Sequence, residues 1–277
     1  MSGDRTVRQA LSLLAAVAVC VCVCLPATAW AQQPVTLHAT LTPERLGQST
    51  TIGFGFQIAT TPNLTPSPLT EVDVRYPVDL GFALSELGLA TCSVVVLEVF
   101  GPQGCPTNSQ MGYGTALAEI PVGPIIISET ARITIVRTTE QNGYLALLFY
   151  AEGGTPVDAQ IVFAGTLLPA PAPFGGLLHM SVPLVPSLPG APDVAIVQLQ
   201  ATLGPEHLTY SERVHGRMVY YQPKGIPLPY SCPHGGFPFA AQFSFQDGGH
   251  ASAASNVLCP HGTHKSKGRQ RDSGSRR

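Results

Sequence analysis

Proline and glycine punctuate this chain from end to end, 26 and 28 of them among 277 residues, and that punctuation forbids helices of ordinary length. Proline lacks the amide that an interior helical turn needs, and glycine loses the most backbone freedom there. Short runs rich in Val, Ile, Thr, Leu and Phe remain between them, the composition of strands bounded by turns. Eleven such runs stand out: residues 35–41, 50–59, 69–77, 114–122, 131–138, 143–151, 158–168, 177–185, 195–203, 237–245 and 251–258.

Their alternation has the period of a half-buried sheet. Ile52, Phe54, Phe56 and Ile58 share one face; Ile133 and Ile135 point opposite to Arg132 and Thr134. GYLALLFYA (143–151) is apolar on both sides and reads as a central strand covered above and below. The expected fold is all-β, an antiparallel β-sandwich of Ig-like or jelly-roll-like kind. TCSVVVLEVFGPQGC is the exception: Ser93 is placed to cap a short helical turn that Gly101 and Pro102 end.

The N-terminus reads as an address. Arg5 and Arg8 precede an uncharged apolar run, 9–25; Pro26 breaks it, and Ala29-Trp30-Ala31 supplies small residues for a signal peptidase, with cleavage expected after Ala31. The run has about 17 residues, the short limit for a spanning helix, which leaves a retained anchor as the alternative. Residues 1–31 are therefore set apart as a signal peptide, and about 245 residues remain for one large β domain or two small ones. PAPAPFGG (169–176) and PSLPGAPD (186–193) either divide an N-terminal region, 32–193, from a C-terminal β region, 194–261, or are stiff loops within one domain.

Charge is unevenly placed. Residues 32–261 hold seven Lys or Arg against fifteen Asp or Glu, a net charge of −8, whereas the tail 262–277 carries +5. The tail has no apolar residue to bury and reads as a solvated, disordered end. Cell-wall polymer, an anionic surface or another extracellular protein are the partners such an exported chain suggests. No aromatic interleaves with the tail's cations, so no nucleic acid is expected.

Four cysteines follow the signal: Cys92, Cys105, Cys232 and Cys259. An even number in an exported chain is the pattern of disulfides, and of the three pairings proximity favours Cys92 with Cys105 and Cys232 with Cys259. A zinc site from Cys232, His234, Cys259 and His261 has suitable ligand types, but each Cys-Pro-His sets its pair two apart across a rigid proline, and the compartment disfavours free thiolates. His234 and His261 stay as the metal candidates beside the preferred staple. FPFAAQFSF (237–245) and ASAASNVL (251–258) then form a β-hairpin about Asp247-Gly248, with Phe237, Phe239, Ala241, Phe243 and Phe245 on one face. In that register Cys259 lies opposite Gly236, and the segment from His234 to Gly236 folds back to absorb the excess.

GPQGCPTNSQMGYGTALAEIP and CPHGGFPFAAQFSFQDGGHASAASNVLCP resemble segments of a group of exported β-rich proteins from high-GC soil actinobacteria. The matching positions are Cys92, Cys105, Pro106, Ser109, Gly112 and Gly114, then Cys232, Phe237, Phe239, Asp247, Gly248 and Cys259. The resemblance implies a secreted β protein with paired disulfides and brings no activity.

Catalytic and cofactor motifs are missing: there is no phosphate-binding glycine loop, no His-Glu-x-x-His and no Gly-x-Ser-x-Gly elbow. The densest polar cluster is GPEHLTYSERVHGR (204–217), in which His207, Ser211 and Glu212, with Glu206 and His215 beside them, have the residue types of acyl transfer. Extended geometry sets His207, Ser211 and His215 on one face about 13 Å apart at alternate intervals, which favours a solvated strand. His179 reads as a satisfied or edge histidine, and Glu71, Asp73, Glu119 and Glu129 as carboxylates of unknown separation. The sequence thus favours a secreted, non-catalytic binding or structural module, extracellular or at the cell surface, needing no cofactor. The alternatives are a hydrolase around His207, Ser211 and Glu212, and a carrier of an apolar ligand with a cavity of at least about 300 Å³.

Overall fold

The computed structural model describes residues 33–155, 158–187 and 190–259; the segment 1–31, the tail 262–277 and His261 lie outside them. Fourteen strands and one α-helix form: β1 (Val35–Thr42), β2 (Ser49–Ile58), β3 (Leu69–Pro77), α1 (Val94–Phe100), β4 (Gln110–Val122), β5 (Ile125–Gln141), β6 (Tyr144–Glu152), β7 (Gln160–Pro169), β8 (Phe174–Ser181), β9 (Ala195–Leu203), β10 (Tyr210–Val214), β11 (Arg217–Tyr221), β12 (Ile226–Pro227), β13 (Phe237–Phe245) and β14 (His250–Val257). The all-β antiparallel class is as expected. Hydrogen-bonded neighbours run without a break in the order β1-β2-β9-β4-β5-β6-β7-β8-β3-β13-β14, with β12 added to β2. The end strands β1 and β14 lie side by side, so the sheet nearly closes on itself.

The inner face is apolar: Phe56 on β2, Val72 and Val74 on β3, Ile133 and Ile135 on β5, Phe149 on β6, Met180 on β8 and Phe239 and Phe243 on β13 all join one core. Phe56 and Phe243 meet edge-to-face with centroids 5.0 Å apart, joining the two strands that flank the β1–β14 seam. The outer face carries Gln57, Arg132, Gln200 and Gln242. That distribution is the reverse of a lipid-facing barrel, and no described helix is long and apolar enough to cross a membrane. Both proline-rich segments are loops of the sheet. PAPAPFGG closes the β7–β8 hairpin, Pro186 and Asp193 bridge the other loop, and β9 inserts between β2 and β4. Strands from both sides of residue 194 therefore share one sheet.

The helical turn forms where the cap residues place it. Ser93 Oγ accepts from the Val96 amide at 3.3 Å, and Gly101, at φ 66°, donates its amide to the Leu97 carbonyl. A helix this short has little stability alone. The Cys92–Cys105 disulfide closes its loop, and fully buried Leu97 packs with Val136, Leu148 and Tyr150 on the outer face of β5 and β6. This explains the doubly apolar β6: Leu147 and Phe149 face the interior while Leu148 and Tyr150 lie under the helix.

The second disulfide joins Cys232 to Cys259, beyond the open end of the β13–β14 hairpin. All five predicted inward residues of β13 are buried. Phe237 pairs with Val257 and Ser244 with His250, a register one residue from that expected, because the turn uses Gln246 to Gly249 with a Gly248 amide to Phe245 carbonyl bond. Gly235 and Gly236, at φ 88° and 102°, make the fold-back before the strand, a conformation that side chains with a Cβ disfavour.

Candidate functional site

The richest polar assembly lies on the outer face where β8, β3, β13 and β14 run side by side. Alternation on β3 sends Val72 and Val74 inward and Glu71, Asp73 and Arg75 outward; on β8 it sends Met180 inward and His179 outward. Pairing then puts Asp73 directly opposite His179 and Gln242, and Glu71 opposite Ser181 and Ser244. The outcome is a cluster in which Asp73 and His179 are 106 residues apart in sequence.

His179 Nδ1 lies 2.8 Å from Asp73 Oδ1 and 3.9 Å from Glu71 Oε1. One ligand atom from each of the three side chains falls within 4.8 Å of the others. Asp73 is the most enclosed, its side chain 19% exposed against 37% for His179 and 44% for Glu71. Arg75, outward on the same strand, donates to Gln242 Oε1 at 3.0 Å, and the ion pairs of Glu71 and Asp73 among the described residues are with His179. Beside the cluster a groove of about 370 Å³ is lined by Glu71, Asp73, Gln242, Ser244, His250 and Ser252. Across it His250 Nδ1 and Ser244 Oγ are 3.2 Å apart. Asp73 and Ser244 therefore contact different imidazoles, and no hydrogen bond among the described residues joins a serine, a histidine and a carboxylate in the relay of acyl transfer.

The sequence-derived candidates are placed elsewhere. Ser211 lies on β10, with its hydroxyl 2.9 Å from Thr107 Oγ1 and its amide donating to the same oxygen. His207, in a turn at φ 58°, has Nε2 3.6 Å from Glu206 and its ring 6.0 Å from that of Tyr113. Glu212 is exposed on β10 opposite Val219. No described hydrogen bond or ion pair joins His207, Ser211 and Glu212. β10 and β11 form a separate two-stranded hairpin, which turns through His215 and Gly216, both at positive φ. The segment is anchored by a residue that the polar reading passed over, the fully buried Tyr210. His234 is exposed, next to the disulfide-bonded Cys232.

Among the described residues, small apolar chambers lie inside the sheet. One, of about 100 Å³, is lined by Ala116, Ala131, Ala151 and Ile161 with Glu129 at its edge, where Glu129 Oε1 accepts from the Gly154 amide at 2.6 Å. Another, of about 60 Å³, lies among Phe54, Val74, Phe149 and Phe239. Comparison of the chain with protein-family models, with curated proteins and with solved structures finds no match.

Proposed function

We propose that this chain is an exported, non-catalytic β module that acts outside the cytosol as a binding or structural component, with the outer face of β8, β3, β13 and β14 as its binding surface. The observation that carries this reading is the parting of Asp73–His179 from Ser244–His250 over an open sheet face, next to a groove and without a nucleophile prepared for attack. Two disulfides accord with an oxidising compartment, and the signal-like segment 1–31 supplies the route. As a barrel or as a flattened sandwich, the nearly closed sheet is filled by its own side chains. The interior chambers fall below the roughly 300 Å³ of a drug-sized site, which favours the outer face over the apolar-carrier reading. The hydrolase reading draws no support from Ser211, whose hydroxyl is paired with Thr107.

The test has two arms. Cell fractionation of the producing organism, with the full chain and with a chain lacking residues 262–277, is expected to place both forms outside the cytosol, the full chain more firmly on the cell surface. Panels of esterase, glycosidase and peptidase substrates are expected to show no turnover. Steady turnover abolished by a single substitution in a groove or chamber would refute the non-catalytic reading.

A further inference from the structure

The geometry points to a divalent transition-metal site formed by Glu71, Asp73 and His179 on the outer face of β3 and β8, a site of the zinc class. Two carboxylates and one imidazole converge, and the ring nitrogen that faces both carboxylates is the same atom, Nδ1. Ligand atoms bound at about 2.0–2.2 Å from a zinc ion lie roughly 3 to 4 Å from one another. The separations from Nδ1, 2.8 and 3.9 Å, already fall near that span.

The scaffold limits the rearrangement required. Asp73 and His179 are paired across neighbouring strands, and Glu71 lies two residues along β3, on the same face. Inward neighbours Val72, Val74 and Met180 are packed in the core, which fixes the backbone beneath all three. An ion entering between the side chains takes the place of the hydrogen bond between Nδ1 and Asp73. The neutral imidazole then binds the ion through the Nδ1 lone pair, with its single proton on Nε2. Two carboxylates balance the charge of one divalent ion, and the adjoining groove leaves room for water at the remaining positions.

The donor set also selects the class. Imidazole with carboxylates suits zinc and its neighbours, whereas calcium and magnesium prefer oxygen alone and more of it. This inference stands independently of export and of the absence of catalysis.

Full-length exported protein, stripped with chelator and dialysed against micromolar Zn²⁺, is expected to retain one ion per chain, with no displacement by millimolar Ca²⁺ or Mg²⁺. His179→Gln and Asp73→Asn should each weaken retention at least tenfold. His261→Ala with His264→Ala, the two histidines at the C-terminal end of the chain, should leave it unchanged. Melting of the chelated variants, compared with the chelated parent, separates loss of ligand from loss of fold: matching curves with lost zinc support the site. Should a variant not fold, Glu71→Gln provides the same comparison at the most exposed ligand. Retention that survives His179→Gln, disappears with the tail histidines, yields equally to Ca²⁺ or never reaches one ion per chain overturns the assignment.

Discussion

The hydroxyl of Tyr210 accepts a hydrogen bond from the Gly88 amide at 3.1 Å and donates to the Gln110 carbonyl. One fully buried side chain thereby ties the β10–β11 hairpin to the loop before α1 and to the start of β4. Burial pushes its phenol upward from the ordinary tyrosine range, which favours the protonated, donating form. Tyr210→Phe keeps the ring but strands an amide and a carbonyl in a buried place, at a cost of about 1–3 kcal/mol. Chemical denaturation should record that loss, whereas Ser211→Ala, at a partly exposed hydroxyl, should cost under about 1 kcal/mol.

Phe243 meets Phe56 across the β1–β14 seam of the nearly closed sheet. Phe243→Ala removes a ring that is 1% exposed and should destabilise by about 3–5 kcal/mol. Hydrogen exchange is expected to show the largest loss of protection on β1, β2, β13 and β14, the strands at the closure. Uniform loss over all strands would argue against a seam.

Leu97 is the core of the helix–sheet contact and has no solvent exposure. Leu97→Ala should cost about 2–5 kcal/mol and release α1 from β5 and β6, read as faster proteolysis between Cys92 and Cys105. Ser93→Ala, which removes only the cap, should cost about 1 kcal/mol.

Much of this local architecture is legible in the sequence because it is written at short range. Ser93 and Gly101 bound the helix through their own backbone geometry, and the alternating phenylalanines of β13 declare the buried face of the hairpin. The one-residue error in its register has a physical cause: the turn uses a longer loop than the two-residue turn that Asp247-Gly248 suggests. The closure of the sheet is different in kind. β9 between β2 and β4, and β3 between β8 and β13, are long-range pairings that periodicity does not encode. For the same reason the Glu71, Asp73 and His179 cluster is not visible along the chain: alternation puts each residue on an outer face, but only the β3–β8 pairing makes them neighbours. His207, Ser211 and Glu212 are the opposite case: proximity in sequence did not become a hydrogen-bonded group, in keeping with the solvated strand that extended spacing favours, and the ring of Tyr210 among them was the structural signal.

Glu119 supplies a pH dependence. Its Oε2 is shut away from solvent without a hydrogen-bond partner, and burial pushes its carboxyl above the ordinary range. The folded chain therefore holds this proton to a higher pH than the unfolded chain does. Stability contributed here is present at acid pH and declines as pH rises from the ordinary carboxylate range through the raised folded value. Glu119→Gln, neutral throughout, should raise Tm at pH 7 and change it little at pH 4. An equal gain at both values would mean that the effect is one of packing.

The two disulfides close sequence separations of 13 and 27 residues, and loop entropy assigns them about 3 and 3.5 kcal/mol respectively. Mass-spectrometric mapping of protein recovered from its natural medium tests the whole account most directly. The predicted result is a chain beginning at Gln32 with Cys92 linked to Cys105, Cys232 linked to Cys259 and no free thiol. A chain that retains residues 1–31 in the cytosol with its cysteines reduced, or one with the cysteines paired otherwise, would contradict it.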